Sequence, residues 1–197
     1  MVWFQYLVLL GALAQLVGIT LYIKETVKGI VKPNRMTWLM WSIAPLIAST
    51  AAFVDGVTWA ALPVFMAGFG PFLVFISSFL SKKAYWKLES VDYWFGAFSA
   101  IGLILWAITK EPSIAIIFAI LADGFAALPT LTKAWKHPQT EHSSAFSTGL
   151  FSALTSFTAV KSWSFSEIAF PCYLILICSS ILFAINRKKL FNHKITN

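Results

Sequence analysis

The chain has 197 residues, of which 58% are hydrophobic and 12% charged, and its mean hydropathy is +0.75. A water-soluble domain of this length has too little interior to hide so much apolar surface, so the composition excludes one and points to a polytopic membrane protein. The net charge of +7 sits in short basic clusters between apolar runs, a membrane-flanking pattern rather than a nucleic-acid footprint.

The first apolar run, 2–23, has no basic stretch before it and no small-residue cleavage site after it. Lys24, Lys28, Lys32 and Arg35 follow it instead, so it reads as a retained helix with its N-terminus outside. Gln15, Ile19 and Tyr22 share one face of that helix by i, i+4, i+7 spacing. The second run, 36–54, carries Trp38, Trp41 and Pro45 on one face. Trp38 reads as an interface anchor near the inner boundary, and Trp41 is deep enough to stack on a ring. Pro63, Gly68, Gly70 and Pro71 crowd the third run, 59–80, which predicts a bent helix or a close backbone approach. The fourth run covers 91–109 and the fifth 113–133.

The fifth run contains "LADGFAALPTLTKAW", with Asp123 at its middle and Pro129 six residues later. A carboxylate at the bilayer midplane is costly and usually faces a cavity, which makes Asp123 a candidate for binding a proton or a solute. Its other reading is interhelical glue. Pro129 removes a backbone hydrogen bond and frees the carbonyl of Phe125, as a hinge or a static kink would. Asp123, Ala127 and Thr130 share a face, as Gln15, Ile19 and Tyr22 do, and the two polar stripes could line one path. Gln15 is placed to hydrogen-bond Asp123 across it.

The sixth run, 145–160, is short and rich in hydroxyls, with Thr148, Ser152 and Thr155 forming a further stripe. Such hydroxyls also bond back to their own helix. The seventh, 165–185, holds both cysteines, Cys172 and Cys178, about 9 Å apart along a helix axis and pointing different ways. They read as buried packing residues and not as a disulfide. This run has no lysine, which excludes a retinal Schiff base there. His137 and His142 belong to a solvated loop, and no metal-ligand cluster, phosphate-cradling loop or nucleophile triad is present, so neither a metal, a cofactor nor catalysis is expected.

Thirteen of the fifteen Lys and Arg residues lie in 24–35, 81–90, 133–143 and 186–197, and only Lys110 and Lys161 lie on the other side. The positive-inside rule then gives an outside N-terminus, a cytoplasmic C-terminus and an odd number of spans, in a plasma or inner membrane. A shift of 108 residues lays the first two runs over the fifth and sixth without a gap. Gln15 falls on Asp123, Tyr22 on Thr130, Lys28 on Lys136 and Trp38 on Phe146. A slightly smaller shift lays the third run over the seventh, pairing Trp59 with Trp163 and bringing Ser77-Ser78 near Ser179-Ser180. The expected fold is an all-α membrane protein of seven transmembrane helices, with two parallel three-helix repeats joined by a linker helix. The first repeat covers 1–80, a loop and the linker helix 81–112, the second repeat 113–185, and a basic cytoplasmic tail 186–197. Repeats of this kind place a solute site near the midplane between them.

The segment "FAALPTLTKAWKHPQTEHSSAFSTGLF" (125–151) resembles the PQ-loop motif of the SWEET and SemiSWEET sugar transporters and their lysosomal amino-acid relatives. Leu128, Pro129, Thr130, Lys133, Trp135, Lys136, Ser143 and Ser144 stand at the matching positions, with Thr130 where the family carries glutamine. The first repeat has Leu21 where that family carries proline, and no span contains a mid-helix asparagine of the kind that grips sugars. The resemblance implies a small-solute transporter, for a sugar or another small polar metabolite, working by alternating access about hinges at Pro129 and Pro45. Proton coupling through Asp123 is the further expectation, and Asp123, Gln15, Tyr22, Thr130, Trp41, Ser152 and Thr155 are the candidate lining residues. The partners are then the solute and the lipid bilayer, and a homo-oligomer is compatible with both. The rival class is a non-transporting membrane receptor or scaffold of the same superfamily.

Overall fold

In a computed structural model, which describes residues 7–54, 62–109, 111–160 and 163–192, the chain is entirely helical among the described residues. Seven α-helices follow one another: α1 (Leu7–Val27), α2 (Arg35–Val54), α3 (Leu62–Ser77), α4 (Ser90–Ile108), α5 (Pro112–Lys136), α6 (Ser144–Ser156) and α7 (Phe165–Asn192). Short 3-10 turns at Lys82–Ala84, Pro138–Thr140 and Phe157–Ala159 lie between them. Among the described residues, four helices hold stretches long and apolar enough to cross a membrane: Leu7–Val27, Ser90–Ile108, Ile116–Lys136 and Glu167–Lys188. Trp59, Lys110, Lys161 and the side chain of Pro63, all used in the sequence reading, lie outside what is described.

Helices α1, α5 and α7 run further at their C-terminal ends than the apolar runs that announce them. Hydropathy registers only the apolar part of a helix, whereas Lys24, Lys133 and Lys136 sit in last turns where a cation complements the helix dipole. Starts are set by side chains. Asn34 Oδ1 accepts from the backbone N–H groups of Met36 (3.1 Å) and Thr37 (3.3 Å) at the head of α2. Glu89 and Asp92 form a capping box on α4, and Asn34 Nδ2 donates to Asp92 Oδ1 at 3.1 Å. One pair of side chains thus caps two helices and ties their N-termini together. Pro112 opens α5 at a position where its missing N–H costs nothing. Gly29, at φ +77°, makes the turn after α1, and a Cβ there would lie 2.4 Å from Lys83 Cβ.

Packing follows a definite order. α3 lies against both α1 and α2, and α7 against both α5 and α6. α1 packs on α6, α2 on α5, and α4 on α5 and α2. Glycines permit the closest approaches: Gly11 and Gly18 of α1 face α6, Gly102 of α4 faces Ala122, and Gly68 of α3 faces Pro45 and Leu46. The core gathers Tyr22, Val31, Trp38, Val74, Ala127, Phe146, Ile177 and Ile181. The outside carries many large apolar side chains, with Leu13 59%, Ile104 61% and Leu176 65% exposed. Such a surface suits lipid and is far beyond the apolar patch that a soluble monomer tolerates.

Candidate functional site

Asp123 lies midway along α5, and its surroundings come from three helices. Tyr173 of α7 donates its hydroxyl to Asp123 Oδ2 at 2.6 Å. Trp41 of α2 donates its indole N–H to the Asp123 carbonyl at 3.3 Å. Among the described residues no cation pairs with Asp123, and its side-chain partner is a neutral donor. Pro129 is inside α5, buried, two turns closer to that helix's C-terminus.

Beside Asp123 the helices α1, α2 and α6 fill the space between them with rings. Tyr22 and Trp38 have centroids 4.9 Å apart, Trp38 and Trp41 5.3 Å, and Tyr22 and Phe146 6.1 Å, the last two pairs edge to face. Trp38 is 2% exposed. It is therefore a core ring and not the interface anchor that its position suggested, because Tyr22 and Phe146 close over it from the neighbouring helices. Thr130 and Thr37 are fully buried, and their hydroxyl oxygens have no hydrogen-bond partner.

Toward the C-terminal end of α5 lies a second polar group that the sequence did not announce. Glu141, in the α5–α6 connection, accepts a 2.5 Å hydrogen bond from the Tyr22 hydroxyl at Oε2 and pairs at 2.5 Å with Lys133 Nζ at Oε1. The side chains of Lys133 and Glu141 are 1% and 0% exposed. Lys133 also donates to the carbonyl of Lys32, and the Lys32 N–H donates to the Thr140 carbonyl at 3.0 Å. The Trp86 ring lies 5.1 Å from Lys133 Nζ, and its centroid is 5.4 Å from that of the His137 ring. His137 is exposed, as expected of a solvated loop, whereas Glu141 four residues later folds inward to meet Lys133 at the end of α5, because each charge has its opposite to pair with.

The remaining candidates are distributed differently. Gln15 lines a small cleft of about 20 Å³ between α1 and α3, with Ile19, Met66 and Gly70, while Asp123 takes its bond from Tyr173. Ser152 and Thr155, with Thr148, lie against Gly11 and Gly18 of α1, and the two threonines bond back to carbonyls of their own helix. That stripe is a helix-packing seam. Pro45 is inside α2 against Gly68. Cys178 is half-buried but Cys172 is exposed, since six residues do not complete a whole number of helical turns. The sequence reading missed Glu141, Lys133 as its partner, and Tyr173. A lone acid amid four basic or imidazole side chains, Lys133, Lys136, His137 and His142, was the one available signal for Glu141. No protein-family model matches this chain, and neither does any curated protein or solved structure.

Proposed function

We propose that the chain is a small-solute transporter that works by alternating access, with seven spans, two parallel three-helix repeats around the linker helix α4, an outside N-terminus and a cytoplasmic C-terminus. The observation that carries this reading is the exchange pattern of the helix packing. Replace α1 by α5, α2 by α6 and α3 by α7, and each main contact among these six helices maps onto another, while α4 stands outside the exchange, packed on α5 and α2. The α1–α3 and α2–α3 contacts become α5–α7 and α6–α7, and α1–α6 becomes α5–α2. Two halves related in this way meet along α1, α2, α5 and α6, where rocking of one against the other opens a path first to one side and then to the other. Thirteen basic residues against two give the orientation.

Asp123 sits at this meeting of halves, touched by Trp41 from the first and Tyr173 from the second. A carboxylate there selects a small polar solute that offers it a hydrogen-bond donor or a positive charge. It also provides a group that takes a proton from one side and releases it to the other, so the solute moves with a proton. Pro129 lets the C-terminal part of α5 swing relative to Asp123. The test is solute exchange across liposomes containing the purified protein, run with sugars, amino acids and ribosylated vitamins. Exchange of one class, blocked by an excess of its unlabelled form, is the expected outcome. Liposomes that exchange none of them while the protein remains folded would leave a receptor or scaffold in place of a transporter.

A further inference from the structure

We infer that Tyr22, Lys133 and Glu141 form the inner gate of this transporter, a buried three-residue latch that holds the cytoplasmic ends of the two halves together. The inference rests on the transport reading for its purpose and on the geometry for its parts. Tyr22 belongs to α1, in the first three helices, whereas Lys133 and Glu141 belong to α5 and to the α5–α6 connection, in the last three. Every bond of the latch therefore either crosses between halves or braces one that does. Tyr22 to Glu141 crosses directly at 2.5 Å. Lys133 holds Glu141 from its own half and crosses to the Lys32 carbonyl in the α1–α2 connection. The Lys32 N–H crosses back to Thr140.

Burial gives the latch its strength and its cooperativity. Inside a low-dielectric site a paired charge is held firmly, and losing either partner strands the other. Separating the halves by the width of one water molecule breaks both the phenol bond and the Lys32 bond, so the latch is either made or open. It lies immediately beyond the rings of Tyr22, Trp38 and Phe146, with Tyr22 a member of both groups. Thr130 is one turn before Lys133 on α5, fully buried, with a hydroxyl that has no partner. A buried hydroxyl without a partner calls for a reason. Once the latch opens, Thr130 lines the cytoplasmic path and its hydroxyl meets water or solute.

The test reads this opening without knowing the solute. In a background in which Cys172 and Cys178 are replaced by alanine, Thr130→Cys is exposed to an impermeant thiol reagent from the cytoplasmic face of inside-out vesicles. Glu141→Gln removes the ion pair yet leaves an acceptor for Tyr22, and it should raise the labelling rate at that position by about tenfold or more, as expected when a closed population shifts toward an open one. Tyr22→Phe, which changes no charge, should raise it by a smaller factor. Ser99→Cys, buried on α4 where that helix packs against α2 and α5, reports general loosening and should remain unlabelled in every variant. Unchanged labelling at position 130 in Glu141→Gln and Tyr22→Phe overturns the gate while leaving transport by the parent untouched. Equal labelling at position 99 overturns it too, because the triad would then be a fold staple. Absence of solute exchange by the parent is a separate result, which removes the transport reading.

Discussion

Gly18 lies where α1 and α6 approach most closely, and the consequence of adding one methyl group there can be worked through. An alanine Cβ would stand 1.9 Å from Thr148 Oγ1 and 2.7 Å from the Ser144 carbonyl oxygen. Thr148 could rotate, at the loss of its bonds to the Ser144 (2.9 Å) and Ala145 (3.3 Å) carbonyls. The Ser144 carbonyl is helix backbone and cannot rotate, so α6 must retreat by roughly half an ångström or more in a close-packed seam. That retreat also stretches the interhelical bond from Ser144 Oγ to the Gly18 carbonyl, now 2.9 Å. Overpacking of this kind costs about 1–3 kcal/mol, and an interhelical hydrogen bond about 0.6 kcal/mol. Against these stands a helix-propensity gain of up to about 1 kcal/mol for alanine over glycine. Gly18→Ala should therefore destabilise the fold by about 1–2 kcal/mol. Gly124→Ala makes the same chemical change where the nearest atom, the Tyr173 hydroxyl oxygen, is 3.7 Å away, and it should be neutral or slightly stabilising. Unfolding of both variants in mixed micelles, followed by far-ultraviolet circular dichroism against rising dodecyl sulfate, measures the difference. Equal midpoints for the two would refute the α1–α6 packing described here.

Three other outcomes follow from the same structure. Lys133→Met leaves Glu141 buried without its cation and should cost about 3–5 kcal/mol, most of it recovered when Glu141→Leu is added, in the same unfolding assay. Pro129→Ala restores a backbone donor to α5, so the protein should remain folded and bind its solute while exchange slows by about tenfold; equal rates would make Pro129 a static kink. Glu111→Cys should react with an impermeant thiol reagent in intact cells and His137→Cys only after lysis, in the background without native cysteines. Labelling of position 137 from outside would reverse the proposed orientation.

The helices were legible in the sequence because most apolar runs are long and bounded by charge, and all seven, the short sixth included, appear near their expected positions. Their ends were less so. Lys136 falls beyond the fifth apolar run, yet it continues α5, since a helix in progress needs only acceptable side chains to add another turn. Asp123 stood out because an acid at the middle of a span is costly and must face a cavity or hold helices together. Tyr22 was legible as a polar residue on an inward face, but not as a donor to a carboxylate 119 residues away. Glu141 was legible only as a lone acid among basic side chains, and nothing local distinguishes such an acid in a solvated loop from one folded beneath a helix end. The hydroxyls of Ser152 and Thr155 misled in the opposite sense. A polar stripe and a packing seam have the same spacing, and only the glycines opposite, Gly11 and Gly18, tell them apart.

The central claim is that this chain moves a solute with a proton through Asp123. The direct measurement is uptake into liposomes after a pH step, with parent and Asp123→Asn side by side. Asparagine keeps the shape and an acceptor for Tyr173 but cannot titrate. The account predicts that the parent accumulates its solute above the bath concentration. The variant should exchange solute at equal concentrations yet fail to accumulate it. Accumulation by the variant equal to that of the parent would remove Asp123 as the coupling group, and parent liposomes that move no solute under either condition would contradict the transporter itself.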